Sequence, residues 1–310
     1  MAAVLVTSAP ALADNYPSKP ITLVVPFAAG SGTDQVARAM ATSMQTAWPG
    51  TPVVVDNRPG ANGFIAALAV AKAAPDGYTL FVTTNTTQSA NPHLFKKLPY
   101  DPVADFAPIA ALARGSTVLV VPPSSPYKTV AELIEAGKKH ELSYAAANSS
   151  GRVSAEMLSQ MTGAKVLYVP YKSSPQAMTD LMGGQVDFMF ADAPTATPMV
   201  RAGKLRAIGY AGATRSEALP SVPTLMESGI KGYELYYWVA VYAPQGTARD
   251  VIQRLNEVFV AGAKTPAIGT VFSNAGLAPY TTTSQGLANL QLRETEKWGK
   301  VIRAAGIQPE

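Results

Sequence analysis

The sequence predicts an α/β fold made of two domains. Short runs of β-branched residues alternate with segments whose apolar side chains recur at helical spacing, the pattern of strands joined by crossover helices in a largely parallel sheet. The chain of 310 residues is longer than one typical domain and shorter than three. Its 24 glycines and 25 prolines indicate many short connections rather than a few long helices.

The first unit alternates strands and helices regularly. Its predicted elements are a strand at 21–27, a helix at 36–48, a strand at 52–55, a helix at 65–73 and a strand at 78–84. Each boundary carries turn residues, such as Pro49-Gly50 after the first helix. The loops after the first and third strands therefore lie at the carboxyl edge of one sheet.

The remainder of the chain continues the same alternation. The predicted strands are at 116–121, 142–146, 166–170, 186–190 and 236–243, with an extended run at 206–211. The predicted helices are at 130–139, 153–161, 177–182, 248–263 and 284–305. The elements between 116 and 211 indicate another α/β unit inserted within the first.

The predicted domain organisation is discontinuous. We expect lobe 1 to comprise 14–115 and 226–310, and lobe 2 to comprise 116–225. Two extended crossings, near 112–120 and 206–225, would join the lobes as a hinge. Composition shows no internal repeat that would argue for a solenoid or a tandem array.

Composition and charge exclude several function classes. The chain has no cysteine, which excludes a cysteine nucleophile, a thiolate zinc site, disulfides and a lipidated cysteine. The net charge of +4 is scattered, with no Lys/Arg run longer than two, so no nucleic-acid partner is expected. The mild excess favours a small anion as partner. No stretch is apolar for long enough to insert stably in a membrane.

The first thirteen residues resemble the rear half of a signal peptide. They carry no charged side chain and end in Ala11-Leu12-Ala13, the small-x-small pattern of a cleavage site, although the positively charged start is missing. The alternative is an alanine-rich leader without function. The signal interpretation predicts an exported protein in the periplasm.

The first loop that could bind a ligand runs from Gly30 to Asp34, between a strand and a helix. Helix amides, glycine backbone and the hydroxyls of Ser31 and Thr33 make such a loop a cradle for an anion. It lacks the Lys of a phosphate-binding loop and the glycine spacing of a dinucleotide fingerprint. The alternative is a capped helix start, with Thr33 or Asp34 as the cap.

Three further loops follow predicted strands and are rich in donors. They lie at 83–87, 148–152 and 171–174. Arg152 would lie in the first turn of a helix, where the helix dipole disfavours a cation, so a bound anion could hold it there. If these loops do not bind a ligand, 83–87 is a solvated turn, and Arg152 and Lys172 are exposed surface side chains.

Catalytic machinery is not evident. No Gly-x-Ser-x-Gly elbow occurs, and neither His93 nor His140 has metal-ligand spacing. Asp187 and Asp192 could be read as a carboxylate pair, but nothing singles them out. We therefore predict no catalytic residue, no metal and no cofactor.

Several ordered stretches together resemble the extracytoplasmic solute receptors of tripartite tricarboxylate transporters, the Bug or TctC family. The resemblance extends from about Tyr16 to the end of the sequence. The stretches are 20–30 with Asp34, 56–63, 91–92, 98–102, 105–109, 169–172, 183–187 and 243–247, which read PITLVVPFAAG, DNRPGANG, NP, LPYDP, DFAPI, VPYK, GGQVD and APQGT.

The resemblance implies a periplasmic-binding-protein fold of type II, whose two lobes close over a ligand. It implies that one carboxylate of an organic acid is held by 29–34 and 148–151, partly through water, with 83–87 and 171–173 lining the cleft. Together with the loops, the predicted ligand-binding residues are Phe27, Ala29, Gly30, Ser31, Gly32, Thr33, Asp34, Thr84, Asn85, Thr86, Asn148, Ser149, Ser150, Gly151, Arg152, Tyr171, Lys172, Asp192 and Trp238.

The implied function is that of a monomeric periplasmic receptor that delivers a small di- or tricarboxylate to membrane permease subunits. The alternatives are a sensor that signals to a membrane kinase and, less favoured, an enzyme acting on small organic acids. Family members often have Gly in place of Ser31 and His in place of Arg152; the second departure suggests that Arg152 pairs with a second ligand carboxylate. Tyr236, Tyr237, Trp238 and Tyr242 leave two interpretations open, a wall against an aromatic acid such as terephthalate or the core of a sheet.

Overall fold

The computed structural model describes residues 16–310; the predicted signal remnant at 1–13 lies outside them. The first part of the chain forms β1 (Ile21–Val25), α1 (Gly32–Ala47), β2 (Val53–Asn57), a 3-10 turn (Ala61–Gly63), α2 (Phe64–Ala71), β3 (Thr79–Thr84), a π-helical turn (Thr86–Ala90) and α3 (Asn91–Leu94). The strands and helices alternate, as the sequence predicts.

The middle of the chain forms a second series. Its elements are β4 (Phe106–Val121), α4 (Val130–Lys139), β5 (Leu142–Ala146), α5 (Ser149–Thr162), β6 (Val166–Pro170), α6 (Ser174–Met182), β7 (Phe188–Asp192), α7 (Ala193–Arg201) and β8 (Arg206–Tyr210). The chain then returns through β9 (Tyr236–Pro244), α8 (Arg249–Ala263), α9 (Pro266–Asn274), β10 (Leu277–Pro279) and α10 (Ser284–Ala304).

One long strand, β4, is shared by two sheets. In the first sheet β2, β1 and β3 are parallel, β9 pairs antiparallel with β3, and residues 106–116 of β4 pair with β9. In the second sheet residues 117–121 of β4 pair with β7 and β8, and β7, β5 and β6 are parallel neighbours. β4 therefore carries the backbone from one sheet directly into the other.

Each sheet is packed on both faces. Along β1, Leu23 belongs to a buried cluster with α1 and α8, whereas its neighbour Val24 faces a second cluster with α2 and α10. Along β4, Leu119 and Val118 likewise enter opposite clusters of the second sheet. Tyr233 packs in the second-sheet core, although its segment follows the last strand of that sheet.

Local sequence signals explain the helices that matter for the site. On α1, Val36, Met40 and Met44 recur every four residues and are buried, and each contributes about 1.5–3 kcal/mol of burial. Ser31 caps this helix and Asn148 caps α5, each through a side-chain oxygen that accepts an amide hydrogen bond. Both caps lie at the carboxyl ends of strands, which brings the helix starts to the same edge.

The structure differs from the predicted elements in several places, among them β7, which spans Phe188–Asp192 rather than 186–190, and α1, which begins at Gly32 rather than at 36. β4 begins at Phe106 and α5 at Ser149, both earlier than predicted. The helices α7 and α9 were not predicted, because Pro194 and Pro198 in α7 and Pro266 in α9 favour turns locally. Pro194 and Pro266 lie in the first turns of their helices, where a missing amide costs no hydrogen bond.

Candidate ligand-binding cleft

Helix starts from both sheets meet at one place. β1 leads into α1, and β5, β6 and β7 lead into α5, α6 and α7. The first turn of α1 lies against the second sheet: a Cβ built on Gly32 would lie 3.2 Å from Cγ of Pro194, and one on Gly30 would lie 3.8 Å from Cγ of Pro175. These prolines lie in the first turns of α7 and α6, so the positive end of α1 in the first sheet lies beside the positive ends of helices in the second sheet. The place where these helix starts meet is called the cleft below.

Two hydrogen bonds cross this cleft. The Gln35 side-chain amide donates to the carbonyl of Pro194 over 3.3 Å. That carbonyl would ordinarily accept from the residue four positions later, which is Pro198 and has no N–H. The Asn85 amide donates to Ser150 Oγ over 3.5 Å. One hydrogen bond thus joins the start of α1 to the start of α7. The other joins the start of the π-helical turn to the start of α5.

The first loop is held in shape by a buried carboxylate. Asp34 accepts hydrogen bonds from the Gly30 amide (2.9 Å), Arg38 Nε (3.0 Å) and Asn57 Nδ2 (2.9 Å). The same Asn57 amide donates to the carbonyl of Phe27 over 3.0 Å. Both oxygens of Asp34 are therefore occupied by the protein, and this predicted ligand-binding residue positions the loop.

The network sets the charge state of Asp34. Burial alone raises the pKa of Asp34, but the hydrogen bonds from Arg38, the Gly30 amide and Asn57, with the charge of Arg38, outweigh it, so the pKa lies below its usual value. Asp34 is ionised at neutral pH. Its charge is neutralised by Arg38, which leaves the amides at the start of α1 to act on an anion in the cleft.

The start of α5 is organised by Asn148. Its Oδ1 accepts from the Gly151 amide over 3.0 Å, and its Nδ2 donates to Asp192 Oδ2 over 2.7 Å. Ser149 and Ser150 occupy the first turn and are buried, and Ser149 Oγ has no hydrogen-bond partner within residues 16–310. First-turn amides have no intrahelical acceptor, so this turn presents a group of donors.

Asp192 lies at the end of β7, immediately before α7, and is only partly exposed. Burial raises the pKa of Asp192 to about 6, and the hydrogen bond from Asn148 opposes that rise only in part. Near neutral pH the carboxyl is therefore close to its titration range.

The polar run at 83–87 does not form a solvated turn. Thr83 and Thr84 end β3, and the π-helical turn follows, with every residue of the run buried. Thr84 Oγ1 accepts from the Thr86 amide over 3.2 Å, and the Thr83 and Thr87 hydroxyls are 2.7 Å apart. Among the described residues no donor reaches Asn85 Oδ1, so this oxygen remains an unpaired acceptor near the cleft.

The fourth loop contributes mainly the start of α6. Ser173 Oγ accepts from the Gln176 amide and caps that helix. The Tyr171 hydroxyl donates to Asp180 over 2.9 Å, so its polar end is directed along α6. Lys172 is exposed, as its alternative interpretation expected.

Two predicted site residues have other partners. Arg152 Nη1 donates to Glu310 Oε1 over 2.6 Å, and its guanidinium lies 4.7 Å from the ring centre of Tyr168. The Glu310 backbone pairs with Leu94 and Lys96, so this ion pair joins α5 to the loop after α3. Trp238 is buried in the core between the first sheet and α10, together with Tyr242.

These contacts predict that Arg152 acts on stability rather than on ligand choice. Arg152→Ala should lower the free energy of unfolding by about 1–2 kcal/mol, because it removes a partly buried ion pair and a cation–π contact. Glu310→Gln should cost less than about 1 kcal/mol. Thermal unfolding of both variants and the double variant should show about 0.5–1 kcal/mol of coupling. A selective loss of dicarboxylate affinity in Arg152→Ala, with unchanged stability, would support the ligand-pairing hypothesis instead.

Each of the two histidines contacts an oxygen of the protein. Across residues 16–310 there is no group of three His, Asp or Glu side chains arranged to hold a metal ion. His93 Nε2 lies 2.9 Å from the carbonyl of Thr295, and His140 Nε2 lies 3.4 Å from the Tyr127 hydroxyl. Within the same range, no helix has the length and apolar character needed to cross a bilayer.

Sequence reasoning missed three residues that shape the cleft. Asn57 lies in the DNRPGANG stretch and bridges Phe27 to Asp34. Gln35 and Pro194 form the contact between α1 and α7. The Asn57 position, at the end of a strand beside the first loop, was a usable signal; the Gln35 contact depends on a helix that local propensity does not predict.

The sequence is similar to known proteins along nearly its whole length. A model of the tripartite tricarboxylate transporter family receptor matches residues 36–307. Protein BugT of Bordetella pertussis is 34% identical over 306 residues, which are 97% of this chain and 94% of BugT. A protein from the tcbD–tcbE intergenic region of Pseudomonas sp. (strain P51) is 34% identical over 294 residues, 93% of this chain and 87% of that protein.

Solved structures agree with the architecture. A protein of R. palustris with adipate superposes with a TM-score of 0.92 at 33% identity, over 95% of this chain and 100% of that one. MatC from Rhodopseudomonas palustris with bound malate superposes with a TM-score of 0.87 at 32% identity, over 93% of this chain and 100% of that one. The periplasmic binding protein BugD superposes with a TM-score of 0.90 at 32% identity, over 95% of this chain and 100% of that one. The predicted α/β fold of the periplasmic-binding-protein type is confirmed.

Proposed function

Because this chain belongs to the tripartite tricarboxylate transporter receptor family, we propose that it binds a small aliphatic dicarboxylate in the cleft and delivers it to a membrane permease. The family resemblance predicted from the sequence is confirmed. Receptors with this architecture are periplasmic, which supports the same compartment for this one. The observation that carries the proposal is the meeting of helix starts from the two sheets, with Gly32 of α1 against Pro194 of α7 and Asn148 of α5 hydrogen-bonded to Asp192.

The electrostatics of the cleft support an anion held by neutral donors. The nearest cations on α1 and α5 are engaged elsewhere, Arg38 by Asp34 and Arg152 by Glu310. The amides in the first turns of the two helices remain for a carboxylate, with Ser149 Oγ beside them. Amides and bridging waters solvate a carboxylate without a buried ion pair, so the ligand can leave when the cleft opens.

The aromatic residues favour an aliphatic ligand over an aromatic one. Trp238 and Tyr242 belong to the core of the first sheet, and Tyr237 belongs to the cluster on its other face. Tyr236 stacks with Arg114 instead, at 5.8 Å from its guanidinium. None of the four is thus free to form a wall for terephthalate. Relatives solved with adipate and with malate support the aliphatic class.

The two sheets are proposed to be the two lobes, and ligand binding to close them. The predicted lobe 2 at 116–225 contains the second sheet, and β4 provides one crossing. Tyr233 packs with that sheet, so we place the second crossing just before β9 rather than at 225. A monomer with transient permease contact is part of the same proposal.

A thermal-shift series tests the receptor proposal. Succinate, malate, adipate, terephthalate and, as a cationic control, cadaverine would each be added to the purified protein. An aliphatic acid present at 100 times its dissociation constant should stabilise the chain by about 2.7 kcal/mol through mass action. Terephthalate and cadaverine should give no shift. Absence of a shift with every aliphatic acid at millimolar concentration would contradict the proposal.

A further inference from the structure

One hydrogen bond between the two sheets ends on a carbonyl whose usual donor is absent. The side-chain amide of Gln35, in α1, donates to the carbonyl of Pro194 over 3.3 Å and to the carbonyl of Gly30 over 3.3 Å. Its two N–H groups therefore join the loop before α1 to the start of α7. Gly32, in the first turn of α1, lies against Pro194 as well, so this bond belongs to the contact between the two sheets.

Pro198 explains why this carbonyl is available. Pro198 lies inside α7, four positions after Pro194, so the helix provides no N–H for the Pro194 carbonyl there. The ring of a proline inside a helix also clashes with the carbonyl four positions earlier and turns it away from the helix. Pro194 is buried, whereas Pro198 is exposed. Gln35 thus supplies, from the first sheet, a donor that α7 lacks.

The bond favours the arrangement in which the two sheets are close. A hydrogen bond to a buried carbonyl without another donor stabilises more than one to a carbonyl that is already paired. α1 follows β1 in the first sheet and α7 follows β7 in the second, so the bond breaks when the two lobes separate as proposed. It therefore contributes to the closed form and not to the open form.

We infer that Gln35 and Pro198 act together to hold the closed form. Pro198 leaves the carbonyl of Pro194 without a donor, and Gln35 pairs with that carbonyl when the ligand binds. Both residues then slow ligand release without contacting the ligand, so Gln35 is a positioning residue, and Pro198 destabilises α7 but strengthens closure. The inference rests on the proposed function, because it takes the closure of the lobes from it.

Gln35→Ala tests the donor. The probe is whichever of succinate, malate and adipate gives the largest thermal shift. Its affinity, measured by calorimetry, should fall by about three- to tenfold, the effect of one hydrogen bond, and most of the change should be a faster dissociation in stopped-flow measurements. Gln45→Ala is the matched control: Gln45 lies on the same helix and donates to the carbonyl of Val53 within the first sheet, so the affinity should not change.

Pro198→Ala tests the acceptor. It restores the N–H at this position, so the carbonyl of Pro194 gains a donor within α7. The unfolding temperature should rise by about 2–4 °C, since proline is the least favourable residue inside a helix. The affinity should nevertheless fall by about threefold, because the Gln35 amide then meets a carbonyl that is already paired. Gly269→Ala in α9 controls for stabilisation alone, and it should raise the unfolding temperature without changing the affinity.

The double variant separates the bond across the sheets from any other effect of Gln35. In the Pro198→Ala background, Gln35→Ala should weaken binding by less than about twofold, because the bond has already lost most of its effect. An undiminished loss in that background would mean that Gln35 acts on the ligand or on the loop at Gly30, and the inference would be wrong. Pro198→Ala with wild-type affinity would overturn it as well, while the receptor function stands. If none of the three acids binds the wild-type protein, the receptor proposal itself fails, and the inference fails with it.

Discussion

Gly151→Ala should weaken binding of the dicarboxylate by at least about tenfold, because the start of α5 cannot keep its position with a larger residue there. A Cβ on Gly151 would lie 2.7 Å from the carbonyl oxygen of Phe190 in β7, and backbone cannot yield as a flexible side chain can. The first turn of α5 must move away from β7. The Asn148 cap and its hydrogen bond to Asp192 would move with it.

The same displacement should lower the free energy of unfolding by about 1–3 kcal/mol, the usual cost of overpacking a well-filled site. Calorimetric titration and thermal unfolding measure the two effects. Gly269→Ala is the matched control, because Gly269 lies inside α9 with no heavy atom within 4 Å of its built Cβ. That variant should gain up to about 1 kcal/mol and bind normally. Wild-type affinity in Gly151→Ala would show that the start of α5 does not hold the ligand.

Where local signals agree, the sequence predicted the elements to the residue. The helix at 130–139 has a threonine cap, Glu132 in its first turn and lysines in its last, and its bounds match α4. The strands at 142–146 and 166–170 also match β5 and β6. In each case residues a few positions apart decide the structure, so one stretch of sequence contains the whole signal.

The elements that were missed depend on distant partners. α7 contains Pro198, which leaves the Pro194 carbonyl without its usual donor, and Gln35 supplies the donor from another part of the chain. The buried run at 83–87 is polar, and only tertiary contacts, such as the Asn85 bond to Ser150, allow it inside. Secondary-structure propensities are summed over a short window of sequence, so they include neither Gln35 for α7 nor Ser150 for the run at 83–87.

In the candidate site, too, one part could be predicted from local sequence and another part depends on distant residues. The position of the loops followed from their place after strands, since carboxyl ends of parallel strands share an edge. The roles of individual side chains did not follow. Asp34 is occupied by Asn57 and Arg38, and Arg152 by Glu310. A charged side chain in a cleft loop is available to a ligand only if no distant residue engages it, which sequence spacing does not reveal.

Asp34→Ala should lower the free energy of unfolding by about 1–3 kcal/mol, since it removes a buried carboxylate that accepts three hydrogen bonds and pairs with the exposed guanidinium of Arg38. The Gly30 amide would lose its acceptor, Asn57 Nδ2 would keep only the carbonyl of Phe27, and Arg38 would lose its ionic partner. The loop before α1 would then lose the shape that its hydrogen bonds impose, so affinity for the dicarboxylate should fall as well. Denaturant unfolding and calorimetric titration measure both.

The pH dependence identifies the charge as the cause. The pKa of Asp34 is lowered in the folded chain, so its stabilisation is fully present above its ordinary value of 3.8 and is lost as the pH falls through the folded value. The stability difference between wild type and Asp34→Ala should therefore be constant from about pH 5 to about pH 7 and should shrink in stronger acid. Asp76→Ala is the control: its ion pair with Lys19 is exposed, so it should cost less than about 1 kcal/mol. An equal loss in the two variants would show that burial of the Asp34 network contributes nothing, and that the loop before α1 is held by its glycine geometry alone.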